Sequence, residues 1–204
     1  MHAIDTLYAE HLARRALPPR AGLQRLTGSI TDEGVARAVA GRYACALPSA
    51  EALDYLRSHL RAPLLTVAAG TGFWAHCAQH IDGIEAVATD RYTPEDNPRF
   101  RRPGWHHVER MDVLEALRRY PGHDVLGVCL PPGVSLQQIY EAAPGADARQ
   151  LFIVGYFTRG AFGGEREGVM SEEHGLQFRR VDCIARWGLE APDHHTVLIH
   201  VWRG

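Results

Sequence analysis

Apolar positions Ile4, Leu7, Tyr8 and Leu12 recur at the spacing of one helix face until Leu17-Pro18-Pro19 stops them. A second helix is predicted over about residues 32–39, ending at Gly41. A third takes Ser49 as N-cap after Pro48, carries Glu51 in its first turn and lines up Leu53, Leu56 and Leu60. From Leu64 the pattern changes. Leu64–Ala68 is apolar without polar alternation, as a strand covered on both faces must be. Further strands are predicted at residues 85–89, ending at Asp90, then after a third strand that precedes Asp112, then at 124–130 and 151–155. Alternating strands and helices predict a mostly parallel sheet. The last two strands, 178–185 and 196–202, have no helix between them, so they are expected to form an antiparallel hairpin closed by residues 187–193. The expected architecture is a Rossmann-like α/β domain over residues 61–204 under an N-terminal helical lid of residues 1–60.

Composition narrows the function classes. With 204 residues, 46% hydrophobic and 23% charged, the chain is long enough for a buried core. A formal charge of −2 without a basic block argues against nucleic acid or a membrane surface as the main partner. The first residues lack the basic start and apolar core of a signal peptide, so the reading is cytoplasmic. All 22 basic residues are arginine. Without a lysine the chain cannot hold pyridoxal phosphate as a Schiff base or build a Walker phosphate loop. Cys45, Cys77, Cys129 and Cys183 are scattered and read as free thiols. His76 and His80 share a helical face, yet no third ligand follows at a familiar spacing, so no metal is expected.

The candidate chemistry is concentrated at Ala69-Gly70-Thr71-Gly72-Phe73-Trp74, between a buried strand and a helix. Glycines there let backbone turn tightly and approach a ligand. Asp90 follows Gly70 by twenty residues at the end of the next strand, where a carboxylate can accept both ribose hydroxyls of a nucleoside. Asp112 stands after the third strand, in position to meet an adenine amino group. A dinucleotide remains compatible with the spacing, since Ala75 takes the third glycine's place. Phe73 and Trp74, read as bulk in the path of a pyrophosphate, and the terminal hairpin argue against it.

The stretch 64–74 resembles the first motif of class I S-adenosylmethionine-dependent methyltransferases. The chain is most similar to a group of small methyltransferase-like proteins with the pattern Tyr-x-Trp-Ala-Ile-Pro, Gly-Ala-Gly-Thr-Gly-Tyr-Trp, Trp-Pro-Pro-Tyr and Val-Gly-Glu. Here these read Tyr43-Ala44-Cys45-Ala46-Leu47-Pro48, Ala68-Ala69-Gly70-Thr71-Gly72-Phe73-Trp74, Leu130-Pro131-Pro132-Gly133 and Val154-Gly155-Tyr156. The likeness covers residues 40–203. It implies S-adenosylmethionine as the consumed cofactor. Ala69, Gly70, Gly72, Trp74, Asp90, Asp112, Val113, Cys129 and Leu130 would surround it, Gly70 and Gly72 facing its methionine part. Tyr43 and Tyr156 would stand at the reaction centre.

The departures cluster around that centre. Ala68 replaces the first glycine, Thr66 replaces an acid, and Leu130 and Gly133 replace the polar and aromatic residues flanking Pro131-Pro132. Tyr156 replaces a glutamate. The expected activity is methyl transfer to a small molecule. The alternative is cyclisation of the cofactor's own methionine chain, releasing methylthioadenosine and a small cyclic amino acid. A further alternative is cofactor binding without catalysis. For an acceptor hydroxyl, Tyr156, His106 or His107 would be the candidate base. The glycine-rich segment 160–168 is a candidate loop over the site, and the helix of residues 4–16 a lid or, alternatively, a homodimer contact.

Overall fold

The computed structural model describes residues 44, 48, 50–98, 103–128, 130–131, 133–134, 138–139, 142, 150–157, 176–182 and 195–203. The predicted helices before residue 44, Tyr43, Cys45, Cys129, Cys183, the segment 160–168 and the loop 187–193 lie outside these residues.

Among the described residues the elements follow in the order α1 (Ala50–His59), β1 (Leu64–Val67), α2 (Phe73–Asp82), β2 (Ala86–Asp90), β3 (Val108–Arg110), α3 (Val113–Arg119), β4 (Asp124–Gly127), β5 (Leu151–Phe157), β6 (Leu176–Asp182) and β7 (His195–Arg203). They build one seven-stranded sheet in the order β3-β2-β1-β4-β5-β7-β6. The first five strands of that row run parallel, with Leu64 beside Ala86 and Asp124. β7 lies between β5 and β6 and is antiparallel to both; its pairing with β6 is the edge hairpin that the sequence predicts. The result is a Rossmann-like α/β fold.

Each face of the sheet is covered. Alternate residues of β1 point opposite ways. Leu64 joins Leu53 and Leu56 of α1, Phe73, Trp74 and Cys77 of α2, and Phe152 and Leu198. Leu65 and Val67 join Val113, Ala116 and Leu117 of α3, with Ile139, Ile153 and Ile199. Burial among these side chains pushes the Cys77 thiol up, which leaves it protonated and unreactive.

Thr66, Asp124 and His200 are polar side chains inside this core, and each is hydrogen-bonded. Thr66 is fully buried and donates its hydroxyl to the Val87 carbonyl at 2.8 Å. The Asp124 carboxylate, 1% exposed, accepts three backbone N–H groups. Oδ2 takes those of Arg61 (2.6 Å) and Ala62 (3.0 Å), and Oδ1 takes that of Gln150 (2.8 Å). One side chain thereby ties together the chain entering β1, the start of β4 and the chain entering β5.

His200, buried on β7, bridges the sheet to α1. Its Nε2–H donates to Gln150 Oε1 at 2.7 Å, so Nδ1 is the acceptor for the Tyr55 hydroxyl at 3.1 Å. Its ring stacks on Phe152. Burial, with His59 and Arg61 nearby, lowers its pKa from 6.5 to about 4. The unfolded chain therefore binds a proton that the folded chain refuses between those values. This contribution is intact above pH 6.5 and is lost as pH falls toward 4. At pH 5 the loss is about 2 kcal/mol. Between pH 7 and pH 5, the unfolding free energy from urea titration should fall further for the wild type than for His200→Asn, by about 2 kcal/mol. Equal falls would place the acid sensitivity elsewhere.

Candidate functional site

A crossover from β3 back to β4 on the far side of β1 creates a topological switch point, and ligands of open α/β sheets bind outside the strand ends there. The C-terminal ends of β1, β2, β3 and β4 bring the glycine turn, Asp90, Asp112 and Leu130 to this edge.

β1 stops one residue before the predicted end because Ala68 turns left-handed, at φ 51°. Gly70 (φ 60°) and Gly72 (φ 74°) are left-handed as well. Alanine pays a steric penalty for this conformation that glycine does not. The two glycines serve different purposes. A Cβ at Gly70 would meet nothing within 4 Å. A Cβ at Gly72 would meet His106 Cβ at 3.0 Å, Val108 Cγ2 at 3.1 Å and the His106 carbonyl at 3.2 Å. Gly70 thus borders open space, while Gly72 lets α2 start against the chain entering β3. Ala69, buried, packs with Ala75, Ala88 and Val108.

Asp90 is half-buried at the end of β2 and locks onto the turn. Its Oδ2 accepts the Gly70 N–H at 2.8 Å, and its Oδ1 accepts the Tyr92 N–H at 3.1 Å. A carboxylate can accept about four hydrogen bonds, so both oxygens retain acceptor capacity. Asp112 is exposed and caps α3, accepting the Glu115 N–H at 2.9 Å through Oδ1. Val113 begins that helix and is buried against the sheet.

Other predicted residues sit differently. Trp74 and Phe73 are each 1% exposed and face the core with α1, so their bulk does not stand over the turn. Beside β5, where a second mononucleotide-binding half would continue with a parallel strand, the sheet has antiparallel β7. β4 ends at Gly127, three residues before the predicted end, and Leu130 folds back so that its methyls lie 3.1 Å from where a Gly127 Cβ would be. The backbone of Tyr156 belongs to β5, paired with Thr196.

From the connection between β2 and β3, sequence reading drew only His106 and His107, as candidate bases, and passed over Gly104 and Trp105. The Trp105 N–H donates to the Thr71 carbonyl at 2.8 Å, and its indole packs edge-on to Phe73, with ring centres 5.1 Å apart. His76 and His80 do share a face of α2, with ring centres 4.4 Å apart. Among the described residues no three His, Cys, Asp or Glu side chains are grouped to hold a metal. His106 faces the Ala86 carbonyl through Nε2 at 3.2 Å. Burial holds its pKa below the ordinary value against the pull of that carbonyl, with His107 and His80 adding to the depression. His106 therefore stays neutral at pH 7. No described helix is long and apolar enough to cross a membrane.

Comparison with protein-family models and with curated proteins finds no match. Among solved structures, a Pyrococcus horikoshii protein provisionally called a transferase, PH0793, superposes with a TM-score of 0.39 at 11% identity, over 83% of this chain. The matched region is 63% of that protein, so the chain spans less than two thirds of its length.

Proposed function

We propose that this chain binds S-adenosylmethionine at the glycine turn and transfers its methyl group to a small-molecule acceptor. The observation that carries the reading is the coupling of Gly70 to Asp90. An open backbone position and a carboxylate with spare acceptor capacity stand side by side at the switch point of the sheet. The ribose hydroxyls would donate to Asp90, and the methionine part would lie against Gly70. Asp112 and Val113 would border the adenine. The sheet order, with its antiparallel β7, fits the architecture that the sequence resemblance implies.

Methyl transfer asks little covalent chemistry of the protein. A nucleophile forms a bond to the methyl carbon while the carbon–sulfur bond breaks and its electron pair stays on sulfur, giving S-adenosylhomocysteine. The protein supplies alignment and exclusion of water. The side chain of Leu130, apolar and folded over the end of β4, offers no hydrogen bond to an acceptor. That observation favours one second reading, attack of the methionine chain on itself with release of methylthioadenosine.

One experiment separates these readings. The purified protein is titrated calorimetrically with S-adenosylmethionine and S-adenosylhomocysteine, then incubated with S-adenosylmethionine with and without a small-molecule extract. Binding is expected, with S-adenosylhomocysteine formed only in the presence of extract. Methylthioadenosine formed without extract would establish cyclisation, and binding without either product a non-catalytic role. Absence of binding to both ligands would falsify the proposal.

A further inference from the structure

We infer that Gly104, on the connection between β2 and β3, is a positioning residue for the nucleoside-binding turn. The inference rests on the reading just proposed for what the turn holds, but the geometry behind it is independent of any ligand. The turn is gripped from two sides. From the end of β2, the Asp90 carboxylate holds the Gly70 N–H. From the approach to β3, the Trp105 N–H holds the Thr71 carbonyl at 2.8 Å. Thr71 is itself 2% exposed, so that carbonyl lies in a packed environment where its partner must come from protein.

The second grip requires the two backbones to touch. A Cβ at Gly104 would lie 2.8 Å from Pro94 Cγ, 2.9 Å from the His106 carbonyl oxygen and 3.2 Å from the Thr71 carbonyl oxygen. Two of these neighbours are backbone atoms, which cannot swing aside as a flexible side chain does. Gly72 faces the same segment, with His106 and Val108 filling its Cβ direction. Glycines thus stand on both sides of one close crossing of chains. Gly104 is not left-handed, so its requirement is closeness alone. Beyond the crossing, the Trp105 indole packs against Phe73 and His76, which anchors the segment to α2. An added methyl at residue 104 must move Trp105 away from Thr71, and the freed turn then carries Gly70 out of register with Asp90.

The test compares Gly104→Ala with Gly122→Ala, an exposed glycine whose Cβ would meet nothing within 4 Å. Two quantities are read: the calorimetric Kd for S-adenosylhomocysteine, and hydrogen exchange of the Gly70 amide without ligand. Gly104→Ala is expected to weaken binding at least tenfold and to speed Gly70 exchange at least tenfold. Gly122→Ala should change neither. Unchanged Gly70 exchange in folded Gly104→Ala overturns the inference, as does unchanged affinity. If Gly104→Ala does not fold, Trp105→Ala takes its place, since it removes the anchor while sparing the crossing; the same two readouts apply, and no change in Gly70 exchange overturns the inference. If the wild type binds no nucleoside, the functional reading fails, and the exchange measurement alone decides the role of Gly104.

Discussion

Replacing Asp124 by alanine is expected to lower the unfolding free energy by about 4 kcal/mol. The side chain is 1% exposed and accepts three backbone N–H groups, which belong to two segments far apart in the chain. Alanine removes all three acceptors at once. The Gln150 N–H is buried and would keep its full desolvation penalty, about 1–3 kcal/mol. Those of Arg61 and Ala62 lie nearer solvent and recover part of theirs through water. Asp124→Asn should cost less, about 2–3 kcal/mol, because its one amide oxygen still serves one side of the clamp while its NH2 confronts a donor on the other. The shift in urea midpoint, with slope unchanged, measures both. A loss under about 1 kcal/mol for alanine would mean that water replaces the clamp freely.

Asp124 also marks where sequence reading stops. An aspartate opening an apolar run reads as the first residue of a strand, and so it is. That it staples β1, β4 and β5 together depends on which strand ends meet in space, and no local pattern contains that. His200 and Tyr55 are 145 residues apart and pose the same difficulty. The architecture itself was legible because burial on both faces leaves a mark on each strand. Leu64–Val67 has no polar alternation, and the absence of a helical stretch between the last two strands announces an antiparallel end to the sheet.

The candidate site was legible in part, for physical reasons. The order strand, glycines, helix, strand, acid placed Gly70 and Asp90 near one another, and they share a hydrogen bond. Spacing alone could not say which glycine faces open space, because that depends on His106 and Val108 arriving from a later segment. Nor could it say that Trp74 turns inward: an aromatic at the start of a helix can face the ligand or the core, and the apolar face of α1 decides for the core. Ala68 stands where the motif that the sequence resembles has a glycine. Its left-handed backbone gives that departure a physical meaning, since the conformation persists without the residue that adopts it most easily.

The two glycines of the turn should therefore separate stability from binding. Gly72→Ala adds a methyl in a left-handed conformation, at about 1 kcal/mol, and drives it into His106 and Val108, where overpacking adds about 1–3 kcal/mol. A total of about 3 kcal/mol is expected in a urea titration. Gly70→Ala carries the same conformational penalty but meets no neighbour, so its loss should stay near about 1 kcal/mol. Its methyl would instead enter the space where the proposed ligand approaches the backbone. S-adenosylhomocysteine should then bind at least about 30-fold more weakly, equivalent to about 2 kcal/mol, to a protein that is still folded. A Gly70→Ala protein that binds S-adenosylhomocysteine as the wild type does would place the ligand away from this turn, because a ligand lying against this backbone would meet the new methyl. The contrast is what makes the pair informative: the variant that unfolds most readily lies at the glycine that packs, and the variant that loses its ligand lies two residues earlier, at the glycine that does not.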